Sequence, residues 1–260
     1  MYPIQRTTAL VRQLLSAHTT GIVHSVYRKT INLSIDNTLI ALQAAGSPVS
    51  PISLITPLTE QEMSALPVSV GQPVSVAGEA MQLPEAVFCF DTAETVDTRL
   101  MPVPESRLPS LTAQICSVLE HSAKGGFRNI LFPSDKPAQL GEQLVLTAAE
   151  NDMKVCSQNI DLFHYTTAAH SLSSLIGLGI GLTPSGDDFL CGVLAGLILR
   201  NGTNHPFSLA LQGQYSEAVC SLCHAAEEAQ LSAAFSAIGH SSGMDTLCGM
   251  LYALTLSLPG

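Results

Sequence analysis

The chain has 260 residues, enough for one large domain or two smaller ones with their own cores. Its 11 Lys and Arg residues against 21 Asp and Glu residues give a formal net charge of −10, which excludes a nucleic-acid-binding protein because that class needs a basic face. Only 12% of the residues are charged and 46% are hydrophobic. This balance favours a subunit of a complex, although a compact enzyme with several buried helices has the same composition.

The sequence carries no signal of membrane insertion or export. Its longest uninterrupted apolar run, residues 189–199, has eleven residues, fewer than the ~20 that a membrane-spanning helix needs. The first residues lack the charged and then apolar pattern of a signal peptide. We therefore expect a cytoplasmic, soluble protein with no membrane partner, whose seven cysteines are reduced thiols.

The first 105 residues are typical of a small β-barrel or β-sandwich. A short helix is predicted over residues 10–18, and the alternating polar and apolar residues of 21–42 predict paired strands. Further short apolar runs, separated by Pro and Gly, continue this pattern. Between them, Thr59 and Glu62 have the spacing of a capping box, which predicts the start of a short helix.

The remainder of the chain is predicted to be mainly helical, after a connector that contains three prolines. The apolar spacing predicts helices over residues 111–122, 138–151, 162–175, 186–200, 209–235 and 244–258. One short strand is predicted at residues 129–132. We therefore expect an α+β chain, with a β-rich, barrel- or sandwich-like domain over residues 1–105 and a mainly α-helical domain over residues 106–260.

A ten-residue segment occurs twice in the helical region, 57 positions apart. Residues 185–194 (SGDDFLCGVL) and 242–251 (SGMDTLCGML) are identical at seven positions. In each copy a serine is followed three residues later by an aspartate, the spacing of a helix N-cap. Capping alone explains Ser185 with Asp188 and Ser242 with Asp245, and it needs no chemistry.

Three features exceed what a cap requires and indicate a binding site. Gly177, Gly179 and Gly181 alternate with apolar residues before the first copy, where they would let a ligand or another chain approach the backbone. Asp187 adds a second carboxylate to the same helix start. His240 and Ser241 stand directly before the second copy.

The glycines inside the two predicted helices indicate how the copies meet. Gly192 and Gly249 each lie four residues after the aspartate of their copy, on the same helix face. If the helices pack there, helped by Gly196, their N-termini converge and favour an anion, because first-turn N–H groups point outward. The acidic side chains would then be candidate ligands of Mg²⁺, since carboxylate oxygens suit that ion. The candidate metal ligands are Asp187, Asp188 and Asp245.

Two other motifs are given a plainer interpretation. Residues 220–224 (CSLCH) match the haem-attachment string, but they lie in an Ala- and Glu-rich helical stretch without a second pair, so we interpret the cysteines as small core thiols. Ser185 with His240 as its base would make a Ser–His hydrolase, although the sequence contains no Gly-x-Ser-x-Gly elbow.

Residues 179–188 (GIGLTPSGDD) followed by Gly192, and residues 239–249 (GHSSGMDTLCG), resemble the AllH family. The namesake of that family is a subunit of bacterial oxamate carbamoyltransferase. A weaker similarity lies at residues 27–33 (YRKTINL). The resemblance implies a role in allantoin (purine) degradation, in which oxalurate and phosphate become oxamate and carbamoyl phosphate. It also implies a multi-subunit assembly with AllF-type (FdrA-like) and AllG-type partners.

The resemblance extends to twelve positions of this chain. Among these matching positions we predict catalytic roles for His240, Asp187 and Asp188. We predict contacts to substrate or phosphate for Gly179, Gly181, Thr183, Ser185, Gly186, Ser242 and Gly243, and the match also includes Pro184 and Asp245. Familiar transcarbamylases hold carbamoyl phosphate with a Ser-x-Arg-Thr loop, which this sequence lacks. We therefore expect phosphate at the paired helix N-termini, with a cation or His240 stabilising developing charge, or His240 moving a proton.

Two other functional classes stay open at this point. One is a non-catalytic assembly or regulatory subunit, whose glycine-rich segment contacts a partner. The other is a stand-alone metal-dependent hydrolase of an amide or phosphate, which would work without partners and respond to EDTA.

Overall fold

The structure is a computed structural model that describes residues 1–16, 19–36, 38–133, 139–179, 184–200, 232–233, 235 and 241–257. The described residues fall into two compact units, Met1–Arg99 and the residues from Leu100 onward.

The first unit is a single curled sheet. Within the described residues its ten strands are β1 (Tyr2–Pro3), β2 (Arg6–Thr8), β3 (Thr19–Val26), β4 (Thr30–Ile35), β5 (Thr38–Gln43), β6 (Ser53–Ile55), β7 (Pro73–Ala77), β8 (Ala80–Leu83), β9 (Ala86–Cys89) and β10 (Glu94–Val96). Their order across the sheet is β1-β9-β8-β7-β3-β4-β5-β6-β2-β10. Two short helices, α1 (Ala9–Leu15) and α2 (Glu60–Ala65), accompany the sheet.

The N-terminal segment curls this sheet. β1 and β2 are separated only by Ile4 and Gln5, yet β1 pairs with β9 while β2 pairs with β6 and β10. The N–H of Ile4 donates to the Cys89 carbonyl (2.6 Å) and that of Gln5 to the Ile55 carbonyl (2.8 Å). Because β9 and β6 lie far apart in the strand order, one short segment can bond to both only if the sheet bends round. This half-barrel confirms the predicted barrel-like region.

Local sequence patterns account for these elements. In β4 the apolar side chains of Ile31, Leu33 and Ile35 are buried and alternate with polar ones, as a strand with one buried face requires. The predicted capping box is confirmed: the Glu62 N–H donates to the Thr59 hydroxyl (3.3 Å), and the Thr59 N–H donates to Oε2 of Glu62 (2.7 Å).

The second unit is mostly helical, as predicted. After a short 3₁₀ turn at Glu105–Arg107, its main helices in the described residues are α3 (Leu108–His121), α4 (Arg128–Leu131), α5 (Leu140–Asp161), α6 (Tyr165–Ser173), α7 (Ser185–Leu199) and α8 (Ser242–Thr255). The helix predicted over residues 209–235 lies almost entirely outside the described residues. The α+β class is confirmed.

The strand predicted at residues 129–132 is wrong, because that segment forms α4. A run of three apolar residues, here 130–132, does not distinguish a strand from a helical turn. Here Arg128 fixes the turn: its guanidinium donates to the carbonyls of Leu119 (2.9 Å), Glu120 (2.8 Å) and Phe132 (2.5 Å).

Helices α7 and α8 run parallel and pack backbone to backbone. A methyl group on Gly192 would overlap the Thr246 carbonyl oxygen, and one on Gly249 would overlap the Phe189 carbonyl oxygen. Gly196 approaches Ala253 and Met250 one turn further on in the same way. The predicted packing at Gly192 and Gly249 is therefore confirmed, and both helices begin at the same end of the unit.

Aromatic side chains pack around this helix pair, and one of them bonds to α5. The ring of Phe189 lies 5.5 Å from that of Phe127 and 5.6 Å from that of Tyr252. The Tyr252 hydroxyl donates to the Met153 carbonyl of α5 (2.7 Å). Burial raises the pKa of Tyr252, so this phenol stays protonated as a donor.

Candidate functional site

The two repeated helices begin one and two residues earlier, respectively, than the sequence predicts. The N-cap of α7 is Pro184, so Ser185 is its first helical residue, and the Asp188 N–H donates to the Pro184 carbonyl (3.3 Å). In the same way Ser241 is the N-cap of α8 and Ser242 its first residue, and neither cap makes a side-chain capping bond. The predicted capping by the two serines is therefore wrong. The Ser185 hydroxyl instead interacts with a residue of the other helix.

That residue is Asp245, which lies buried between the two helix starts. Its side chain is fully buried, and its Oδ1 accepts a hydrogen bond from the Phe127 N–H (2.7 Å). The hydroxyls of Ser185 and Ser241 also donate to this carboxylate. Its other oxygen, Oδ2, is buried without a partner of hydrogen-bonding geometry among the described residues. An acceptor in this position is incompletely satisfied, a state that is uncommon in folded proteins.

The environment of Asp245 disfavours its charge. Burial raises the pKa of Asp245 to about 6, while the hydrogen bonds from Ser185, Phe127 and Ser241 act in the opposite direction and the nearby Asp188 carboxylate adds to the rise. A carboxyl group whose pKa lies near neutrality is common at functional sites, because such sites combine burial with specific hydrogen bonds.

A glycine allows the backbone to approach this carboxylate closely. Gly126 has φ of 81°, a conformation that favours glycine, and a Cβ at this position would meet Oδ2 of Asp245 at 2.8 Å and overlap Oδ1. Any side chain here would push the carboxylate away from the Phe127 N–H. The turn at Gly126 therefore fixes where the Asp245 side chain lies.

A cavity of about 320 Å³ opens beside these residues. Gly126, Phe127, Ser185 and Ser241, the residues that surround the Asp245 carboxylate, form part of its wall. The start of α5 contributes Gln139 and Glu142 among others, and Gly179 closes another side. The volume is that of a small-molecule pocket, so the two helix starts meet at a space that a small substrate would fit.

The glycine-rich segment before α7 is tied to the helix start. The Gly177 N–H donates to Oδ1 of Asp187 (2.8 Å), and the Gly186 N–H donates to the Leu178 carbonyl (2.8 Å). Gly179 has φ of 144°, and a Cβ on it would lie 2.5 Å from the Ser185 N. Asp187 thus holds this segment in place, and the segment's glycines allow the close approach to α7.

Two family comparisons match most of the chain. Residues 4–97 match the AllH family N-terminal domain, and residues 175–208 and 203–254 match the family described as oxamate carbamoyltransferase subunit AllH. The chain belongs to the AllH family. No curated protein and no solved structure matches it.

The description of the AllH family identifies its members with a subunit of a transferase, oxamate carbamoyltransferase. The matched residues 175–208 and 203–254 include both copies of the repeat, and hence the walls of the cavity that α7 and α8 form. In the part of this AllH chain that the structure describes, no helix combines the length and apolar character needed to cross a membrane.

The structure brings together some of the residues predicted for the AllH site. Ser185 and Gly179 line the cavity, and Asp245 lies directly behind its wall. Asp188 is half-buried near Asp245, whereas Asp187 bonds to Gly177. Gly186, Ser242 and Gly243 are buried in the first turns of the two helices. The predicted site residues Gly181, Thr183 and His240 lie outside the described residues.

The part of the AllH cavity that comes from before the repeat was not predicted from the sequence. Gly126 and Phe127 touch Asp245 across 118 positions of sequence, and Glu142 joins them from α5. The pair of glycines at 125 and 126 was the only local signal, since paired glycines mark a turn with unusual φ. Within the described residues, no three His, Cys, Asp or Glu side chains are grouped as metal ligands, and the Mg²⁺ assignment stays a prediction.

Proposed function

We propose that this AllH chain is a subunit of an assembly that converts oxalurate and phosphate to oxamate and carbamoyl phosphate. AllF-type (FdrA-like) and AllG-type subunits are its proposed partners. The family description supports the reaction class. The observation that carries a direct role for this subunit is the cavity at the two helix starts, where Ser185 and Ser241 stand in front of a buried carboxylate.

The reaction has two chemical requirements. An oxygen of phosphate forms a bond to the carbamoyl carbon, while the bond from that carbon to the neighbouring amide nitrogen breaks. The proton of hydrogen phosphate moves to this nitrogen, so that oxamate leaves as a neutral amide with its carboxylate unchanged. Negative charge collects on the carbamoyl oxygen during the attack. Catalysis therefore needs donors near that oxygen and a group that carries the proton.

The starts of α7 and α8 supply the first requirement in this proposal. Parallel helices direct their N-terminal dipoles to the same end, which favours negative charge there, whether on phosphate or on the carbamoyl oxygen. We assign this role to the first turns, with Ser242 and Gly243. Gly186 is left with its proposed contact to substrate, since its N–H already donates to the Leu178 carbonyl. His240 keeps its proposed role in moving a proton or stabilising charge. Thr183 and Gly181 keep their proposed contacts to substrate.

A metal ion would meet carboxylates that already have partners. Asp187 accepts from the Gly177 N–H and Asp245 from the Phe127 N–H, so two of the three candidate ligands for Mg²⁺ are engaged by backbone groups. No step of the proposed reaction is therefore assigned to a metal. Turnover of the assembly in EDTA against added Mg²⁺ tests the ion directly.

Replacing Ser185 with alanine tests the proposed role of the cavity. In an assembly reconstituted with AllF-type and AllG-type subunits, we expect Ser185→Ala to lower kcat/KM for oxalurate by about tenfold or more, because one polar contact to the reacting group is lost. Carbamoyl phosphate formation measures turnover, and gel filtration measures assembly. Ser173→Ala is the matched control, since Ser173 is exposed on α6 and its hydroxyl donates to the Ala169 carbonyl of the same helix.

The outcomes separate the remaining functional classes. A Ser185→Ala assembly with normal kcat/KM would contradict the proposed role and favour a non-catalytic assembly or regulatory subunit. Hydrolysis of oxalurate by the isolated chain, independent of phosphate and abolished by EDTA, would instead favour a stand-alone metal-dependent hydrolase.

A further inference from the structure

The direction of the hydrogen bonds around Asp245 determines what the cavity offers to a ligand. An ionised carboxylate has only acceptor positions, so each group that bonds to it must act as the donor. Ser185 and Ser241 therefore donate their hydroxyl hydrogens to Asp245, alongside the Phe127 N–H. A serine hydroxyl has one hydrogen and two lone pairs. Once its hydrogen is donated, the oxygen can only accept.

Both hydroxyls belong to residues of the cavity wall. Ser185 and Ser241 line the cavity, and their common acceptor, Asp245, is fully buried. A hydroxyl that donates its hydrogen to a group behind the wall keeps its lone pairs for a ligand on the cavity side. Glu142, which also lines the cavity, is a further acceptor. Gln139, the remaining polar side chain of the described wall, can both donate and accept. Acceptors therefore outnumber donors among the described polar side chains of the wall, which suits a ligand that carries N–H donors.

We propose that Ser185 and Ser241, oriented by Asp245, bind the N–H groups of the ureido end of the substrate. This inference rests on the proposed function. Oxalurate carries an NH₂ group and an N–H on either side of its carbamoyl carbon, whereas the phosphate dianion presents mainly acceptor oxygens. Two acceptors that face the cavity would bind the N–H groups of oxalurate and repel the oxygens of phosphate. The carbamoyl oxygen is then directed away from the serines, towards backbone donors.

Asp245 acts in this proposal as a positioning residue, and its surroundings keep it in place. The carboxylate is fully buried, is anchored by the Phe127 N–H at 2.7 Å, and has Gly126 packed against it. The negative charge of the nearby Asp188 acts in the opposite direction, because it raises the pKa of Asp245. A carboxylate with this support orients two hydroxyls from two different helices at once, because Ser185 begins α7 and Ser241 precedes α8.

Substituting Asp245 with asparagine tests the polarity of the site. The asparagine oxygen can still accept from the Phe127 N–H, but its NH₂ group can donate to the serine oxygens, which frees their hydrogens for the cavity. In the reconstituted assembly we expect Asp245→Asn to raise KM for oxalurate by about tenfold and to leave KM for phosphate within about twofold. Varying each substrate separately gives both constants.

Other variants keep the test decisive. Ser185→Ala and Ser241→Ala should each raise KM for oxalurate selectively, and they carry the test if Asp245→Asn fails to assemble. Thr246→Val is the matched control, because Thr246 is buried in α8 but donates only to the Ser242 carbonyl (2.9 Å) among the described bonds. A rise in KM for phosphate, alone or equally with oxalurate, would overturn the inference. If the wild-type assembly forms no carbamoyl phosphate, the proposed function fails but the inference can still be tested. Calorimetry then compares the affinity of the wild-type and Asp245→Asn assemblies for oxalurate, and equal affinities would overturn the inference.

Discussion

Gly249→Ala is expected to destabilise the helical unit by more than about 3 kcal/mol. The added methyl group would overlap the Phe189 carbonyl oxygen and lie 2.7 Å from the Val193 N. Both are backbone atoms inside α7, so the clash cannot be relieved by a side-chain rotation. The helices would have to separate, and the starts of α7 and α8 would no longer meet at the cavity. Urea denaturation followed by far-UV circular dichroism measures the change in the free energy of unfolding.

A glycine in a different environment provides the control for this prediction. Gly141 is exposed in the first turn of α5, where alanine has a higher helix propensity. Gly141→Ala should therefore leave the free energy of unfolding unchanged or raise it by up to about 1 kcal/mol. Gly192→Ala should behave like Gly249→Ala, since its methyl group would overlap the Thr246 carbonyl oxygen. Equal stability of Gly249→Ala and wild type would show that the helices do not pack at this point.

Asp245→Asn is expected to have the opposite effect and stabilise the folded chain at pH 8, by up to about 3 kcal/mol. Burial raises the pKa of Asp245 from an ordinary value of 3.8 to about 6. Between these values the folded state binds more protons than the unfolded state, so wild-type stability falls as the pH rises from about 4 to about 6 and stays lower above. Asparagine carries no charge, so the free energy of unfolding of the variant does not fall in this way as the pH rises.

The pH dependence distinguishes this cause from a general change in packing. The free energies of unfolding of wild type and Asp245→Asn should differ most at pH 8 and approach each other at about pH 3, below both pKa values, where the aspartate is largely protonated in both states. A difference of the same size at both pH values would contradict the assignment, as would a less stable Asp245→Asn at pH 8. A variant that is more stable but binds oxalurate poorly is typical of a functional site, where an unfavourable group is retained for its role.

The sequence predicted those parts of the fold that produce a periodic or repeated pattern of residues. The curled β-rich region followed from short alternating strands, and the contact of α7 with α8 followed from glycines at equal positions of two copies. Interior glycine is unfavourable in a helix unless a neighbouring backbone comes close. Such a residue at Gly192 and again at Gly249 therefore predicted a helix pair rather than two separate helices.

The sequence was a poor guide to the details of the site. A serine followed three residues later by an acid has the spacing of a cap, yet Ser185 and Ser242 are helical residues, because Pro184 and Ser241 supply the first carbonyls. Only the fold shows that the Ser185 hydroxyl bonds across to Asp245 instead. The hydrogen bond from the Phe127 N–H to Asp245 could not be predicted either, because a backbone contact across 118 positions does not depend on the local sequence pattern.

Hydrogen–deuterium exchange on the reconstituted assembly, with and without oxalurate, tests most directly whether the duplicated helix starts form one substrate site. We expect oxalurate to slow exchange together in residues 125–127, 185–188 and 241–245, which are distant in sequence but surround one cavity. Residues 150–155, in the middle of α5 and outside the described wall, serve as the reference and should exchange at the same rate in both conditions. Unchanged exchange in all three segments, in an assembly that turns over oxalurate, would contradict the account.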